Sequence, residues 1–164
     1  MPTRRLRVDA FLSIVVRYPQ GDSLIALSQP PLTSQPTAQP AGPEAPPLWL
    51  AAVRAAEAKQ AVDVRVLDLR SVTSFTDHFV ICSGANPRQI QAIADEIVLQ
   101  LKHAGDYALS VEGYESAEWI LIDYGAFLVH IFSARAREYY DLERLWRHAK
   151  DVAIPPEAPP SGAS

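Results

Sequence analysis

The stretch Trp119–Phe132, WILIDYGAFLVHIF, constrains the fold more than any other part of the chain. Two apolar runs flank a break at Gly125-Ala126. Each run is too short for a free-standing helix and is rich in β-branched and aromatic residues. The pattern predicts a β-hairpin with Gly125-Ala126 as its two-residue turn. That register sets Tyr124 opposite Phe127, Ile122 opposite Val129 and Ile120 opposite Ile131, all on one face. Alternation puts Trp119, Leu121, Asp123, Leu128, His130 and Phe132 on the other. The first is a core face. The second mixes large aromatics with an Asp and a His, and two readings stay open for it. One is a surface that becomes buried against another molecule. The other is a second core layer in which Asp123 and His130 are hydrogen-bonded.

Around this hairpin the chain reads as one domain with extensions. Eight of the 14 prolines fall between Pro19 and Pro47, among Ser, Thr, Gln and Ala. Residues 1–47 are therefore expected to be a disordered Pro-rich extension. Arg4, Arg5, Arg7 and Arg17 bracket Phe11–Val16, which leaves open a targeting peptide for an organelle, or a translation start downstream of Met1. Residues 155–164 are also Pro-rich and are expected to be a disordered tail. Pro87 is the one proline from Leu48 to Ile154, so the folded domain is placed at 48–154.

Within it, Leu48–Ala61 is Ala-rich and predicts a helix. Val62, Val64 and Val66 alternate with Asp63 and Arg65, as in a half-buried strand through Leu69. His78–Ser83 is nearly all apolar, as in a central strand. Asn86, Pro87 and Gln89 form a helix start, and Ile90, Ile93, Ile97 and Leu101 line one helical face up to a stop at Gly105. Ala108–Val111 reads as a short strand. After the hairpin, Ser133 caps a last helix reaching His148, with Tyr139, Leu142 and Trp146 on one stripe. The fold class expected is α/β, a single domain with a mixed β-sheet flanked by helices.

The candidate chemistry is thin. The single cysteine, Cys82, sits in an apolar run and reads as a buried, inert thiol. The four histidines have no metal-ligand spacing, and no paired acids or nucleophile elbow stand out. Gly84 at a strand-to-helix junction invites phosphate binding, but no Gly-rich phosphate motif accompanies it. The net charge of −4 argues against a nucleic-acid backbone as the main ligand. No apolar run approaches a membrane span. Aromatics near charge remain, including Tyr139 and Tyr140 beside Arg135, Arg137 and Asp141, residue types that anchor protein interfaces. Tyr139 and Trp146 are also suited to packing the last helix on the sheet.

Asp68-Leu69-Arg70 and Ser74–Gly84 (SFTDHFVICSG) together resemble the signature of the ribosomal silencing factor family, RsfS or Iojap. Further matching blocks follow in order. They are Arg88-Gln89 with Ala92–Ala94, Glu112-Gly113, Trp119 through Tyr124-Gly125 with His130 and Phe132, and Arg137–Trp146. The resemblance covers nearly all of 48–150. It implies an α/β fold related to nucleotidyltransferases. The implied function is a translation repressor that binds the large ribosomal subunit through its ribosomal protein fourteen. Bound at the subunit-joining face, it would block association with the small subunit when nutrients are short. Neither catalysis nor a cofactor is implied, and the location implied is the cytoplasm, or an organelle if residues 1–47 are a transit peptide. A homodimer stays open for the free protein. Direct sequence-specific binding of nucleic acid is not expected. The interface positions expected are Trp119, Asp123, Tyr124, His130, Phe132, Tyr139 and Tyr140. The competing reading is a nucleotide-binding or nucleotidyl-transferring enzyme using Asp77, Gly84 and Arg88, although the paired acids and the Gly-Ser loop of nucleotidyltransferases are missing.

Overall fold

The computed structural model describes residues 45–157. The expectations for 1–47 and 155–164 lie outside those residues, apart from 45–47 and 155–157, which form neither helix nor strand. The elements run α1 (Leu48–Ala58), β1 (Val62–Asp68), β2 (His78–Gly84), α2 (Pro87–His103), β3 (Ser110–Glu112) and β4 (Trp119–Asp123). They continue with β5 (Phe127–Ser133), α3 (Ala134–Tyr140), α4 (Leu142–Leu145) and β6 (Lys150–Val152). The six strands form one mixed sheet in the order β3-β4-β5-β2-β1-β6. Only β2 and β5 pair in parallel, at its centre. Both are buried almost throughout, which is why they read as continuous apolar runs rather than as alternating ones.

The hairpin forms in the expected register, with Ile120 opposite Ile131 and Ile122 opposite Val129. On one face of the sheet, Val66, Val80, Cys82, Ile120, Ile122, Tyr124, Phe127, Val129 and Ile131 meet α1 and α2. Helix α2 starts as its sequence predicts. The Gln89 backbone N–H donates to Asn86 Oδ1 at 2.9 Å, with Pro87 in the first turn. The Gln89 side chain does more than close a capping box. Its Oε1 accepts from the Ala85 N–H, and its Nε2 donates to the carbonyls of Lys59 and Gln60. One side chain therefore ties the starts of α2 and β1 together.

Gly84 has a packing reason. A Cβ there would lie 2.7 Å from Ile90 Cγ1 and 3.3 Å from the Ile90 backbone nitrogen. The glycine lets α2 approach the end of β2, and that close approach accounts for it without a bound phosphate.

Three features depart from the sequence reading. The alternation in β1 is interrupted by a bulge between Val62 and Arg65, with Asp63 at φ 50°. Val62 is consequently exposed, and burial begins at Val66. The single helix expected from Ser133 to His148 breaks at Asp141, which is left-handed at φ 44°, ψ 57°, a conformation that Asp tolerates better than most residues. The break turns α4 so that Trp146 folds back onto the sheet, 5.4 Å from Phe79 between ring centroids. Finally, Lys150–Val152 adds an edge strand against β1, secured by the ion pair of Arg65 with Asp151 at 2.7 Å.

Candidate partner-docking surface

The second face of the hairpin is divided rather than open. Its inner part is covered by α3, α4 and the Phe75 loop. His130 and Phe132 are 0% and 1% exposed, and Leu128 is also buried. Phe79, in register beside Leu128, packs against His130 at 4.6 Å, against Trp146, and beside Phe75. The expected contact positions His130 and Phe132 are thus corrected. They form the second core layer: Phe132 lies against Trp119 and Tyr140 of α3, and His130 lies against Phe79, which Trp146 covers in turn after the chain bends at Asp141. Tyr124 is corrected as well: it lies buried on the opposite, helix-covered face, stacked on Phe127 at 4.9 Å. Trp146 packs the last helical segment on the sheet, whereas Tyr139 does not.

The outer part remains accessible. Trp119, Leu121 and Asp123 of β4 are half-buried, as is Tyr140 of α3, and Tyr139 is 78% exposed. The Trp119 ring stacks on Phe132 at 5.1 Å and meets Tyr140 at 4.6 Å. Tyr139 in turn stands edge-on to Tyr140 at 5.0 Å. The result is an aromatic patch running from the core layer to solvent. Asp123 also supports the hairpin turn, its Oδ1 accepting the Gly125 N–H at 2.7 Å.

Helix α3 is held in place by Arg137. Its Nη1 donates to the Asp63 carbonyl at 2.8 Å and to Ser83 Oγ at 3.0 Å, while Nε donates to Glu143 at 2.8 Å. Both partners of that ion pair are largely shielded from water. The tie joins α3 and α4 to β1 and β2, and so fixes where Tyr139 and Tyr140 stand.

The patch has an acidic rim. Glu112 pairs in register with Leu121, and Ser110 with Asp123, so Glu112 shares the face of Trp119. Glu118 directly precedes Trp119 and is exposed; burial, and then Tyr139 and Glu118, raise the Tyr140 phenol above its ordinary pKa. Neither Glu112 nor Glu118 was singled out from the sequence. The signal was the run of acids between Asp106 and Asp123, meaningful only once β3 is registered against β4.

Burial lowers the His130 pKa to about 3. The folded protein therefore keeps His130 neutral while the unfolded chain takes up a proton near its ordinary pKa of 6.5. This contribution to stability is present in full above pH 6.5 and is lost as pH falls towards 3. From pH 7 to pH 5 the loss amounts to about 2 kcal/mol. Urea unfolding at the two pH values checks it. His130→Gln should show a drop smaller by about that amount, and an equal drop in both proteins would contradict it.

Elsewhere the sequence candidates scatter. Asp77, in the loop before β2, and Arg88, in the first turn of α2, are exposed beyond opposite ends of β2, and Gly84 is buried against Ile90. The Asp68 carboxylate, held well below its usual range by Arg70 N–H donors, is engaged within its own turn. Cys82 is buried, and desolvation pushes its thiol up to about 12, which makes it unreactive. Among the described residues no group of three or more His, Cys, Asp or Glu side chains could hold a metal ion. No helix there is long and apolar enough to cross a membrane.

The mixed sheet and its helices are shared with a solved protein. A crystal structure of a Chromobacterium violaceum protein superposes with a TM-score of 0.60 at 35% identity, over 61% of this chain and 83% of that one. The family model described as "Ribosomal silencing factor during starvation" matches residues 42–163. The ribosomal silencing factor RsfS of Halalkalibacterium halodurans is 40% identical over 103 residues, which is 63% of this chain and 88% of that protein. The RsfS of Bacillus subtilis is 40% identical over 98 residues, covering 60% and 83%. The chain belongs to the ribosomal silencing factor family, a family of regulators of translation rather than of known enzymes.

Proposed function

We propose that this protein docks on the large ribosomal subunit through its ribosomal protein fourteen, at the face that meets the small subunit, and blocks joining by occupying that space. Translation is thereby lowered when nutrients are short. The observation that carries the reading is the aromatic patch of Trp119, Tyr139 and Tyr140, left uncovered on a face whose other half is sealed by α3 and α4. A large aromatic held half-exposed at a fixed place is the kind of group that anchors a protein interface. The acidic rim of Glu112, Glu118 and Asp123 suits a basic ribosomal protein and is repelled by bare rRNA, which orients the approach. Of the positions expected from the sequence, Trp119, Asp123, Tyr139 and Tyr140 are the proposed contacts. His130 and Phe132 support them from beneath. Occlusion needs no catalytic group, and the protein acts in the cytoplasm.

Co-sedimentation with purified large subunits tests the contacts. Trp119→Ala and Tyr139→Ala should remain folded and lose affinity, Trp119→Ala by about 30-fold, the size of a hot-spot truncation. Folded variants that pellet as the wild type does would overturn the assignment.

A further inference from the structure

We propose that His130 is a positioning residue for docking: its buried imidazole holds the Trp119 indole in one orientation and takes up the indole N–H, so that the anchor offers its partner hydrocarbon alone. The inference rests on the docking reading above. The Trp119 Nε1–H donates to His130 Nδ1 at 3.2 Å. The two residues lie diagonally across the β4–β5 pair, since Trp119 is in register with Phe132 and Leu121 with His130. His130 is itself fixed, parallel to Phe132 within 8° and edge-on to Phe79.

The rings and chains beside His130, Phe79, Leu128 and Phe132, are apolar, and a Leu or Phe would fill its site. A polar ring there costs desolvation unless it is hydrogen-bonded, so its use points to a need for direction. Stacking on Phe132 and contact with Tyr140 restrain the plane of the indole, but ring contacts do not distinguish one edge from the other. The bond from Nε1–H does. It turns the nitrogen edge inward, so the accessible part of Trp119 is C–H surface. An anchor of this kind selects a partner surface with an apolar slot, such as the stems of basic side chains, rather than one with a free acceptor. Acceptance at Nδ1 also assigns the imidazole proton to Nε2.

The tie is tested in the intact, 15N-labelled wild type. The His130 Nδ1 signal should be that of an unprotonated ring nitrogen, and the Trp119 indole N–H should exchange slowly. A protonated Nδ1 would overturn the proposal. His130→Phe keeps a ring and removes the acceptor. It should speed exchange of that indole N–H and weaken co-sedimentation about tenfold, the scale of one hydrogen bond. His130→Asn, which puts an acceptor near the place of Nδ1, should recover most of the affinity. In a Trp119→Ala background His130→Phe should have no further effect on binding. An equal loss in both backgrounds would show a merely structural role and sink the proposal. If Trp119→Ala binds as the wild type does, the docking reading fails and the positioning role with it, while the spectra still report the bond. The two failures are thus told apart.

Discussion

Phe132→Ala is expected to lower the unfolding free energy by about 3–5 kcal/mol, the range for deleting a fully buried aromatic ring. Phe132 is closed in by the rings of Trp119, His130 and Tyr140. The effect is read as the shift of the urea midpoint at unchanged slope. Trp119→Ala should cost clearly less stability, because part of that ring already faces water. The pair separates two kinds of evidence that the sequence alone would merge. A Phe132 variant that no longer pellets with subunits reports a damaged fold, whereas a Trp119 variant that fails to pellet reports a lost contact. A Phe132→Ala protein destabilised by less than about 1 kcal/mol would contradict the buried second layer.

Gly113→Ala is expected to be the most damaging glycine-to-alanine change among the described residues. Gly113 has φ +78°, and a Cβ there would stand 2.0 Å from the Trp119 carbonyl oxygen and 3.2 Å from its carbon. Those are backbone atoms at the start of β4, so relief requires the β3–β4 connection to move, and Trp119 moves with it. The loss should be about 3 kcal/mol or more, combining left-handed strain with overpacking against backbone. Gly105→Ala is the matched control. Its φ is +87°, yet nothing lies within 4 Å of the added methyl, so the cost there is conformational, about 1–2 kcal/mol. Chemical unfolding of the two variants side by side decides the matter, and equal losses would show that the close approach to Trp119 is not real. Gly113→Ala should also reduce docking in whatever fraction stays folded.

Much of the scaffold was legible in the residues because it is written locally. The turn at Gly125-Ala126 sets the hairpin register, and alternation then assigns Ile120, Ile122, Tyr124, Phe127, Val129 and Ile131 to the core. Asn86, Pro87 and Gln89 mark a helix start by hydrogen bonds that span only a few residues. The short strand β6 was missed because three residues, two of them charged, carry no periodicity. The break at Asp141 was missed for a related reason. The spacing of Tyr139, Leu142 and Trp146 fits an unbroken helix, and one residue in the left-handed region leaves that spacing untouched. The error then spread to the site. Alternation tells which side chains share a face but not what lies over them. With α3 and α4 read as one straight helix, nothing suggested that Phe132 and His130 were covered while Trp119 was not. The acidic rim depends on the register of β3 against β4, a pairing between segments that only the folded sheet brings together.

The central claim is that this domain acts by standing where a second subunit must go. The direct measurement is subunit joining itself, followed by light scattering or gradient sedimentation as purified small and large subunits are mixed with increasing amounts of the protein. Joined ribosomes should fall as the protein saturates large subunits, with the protein co-migrating with free large subunits, and Trp119→Ala should shift the titration to higher concentration. Joining that proceeds undiminished while the protein remains bound to the large subunit would contradict the account.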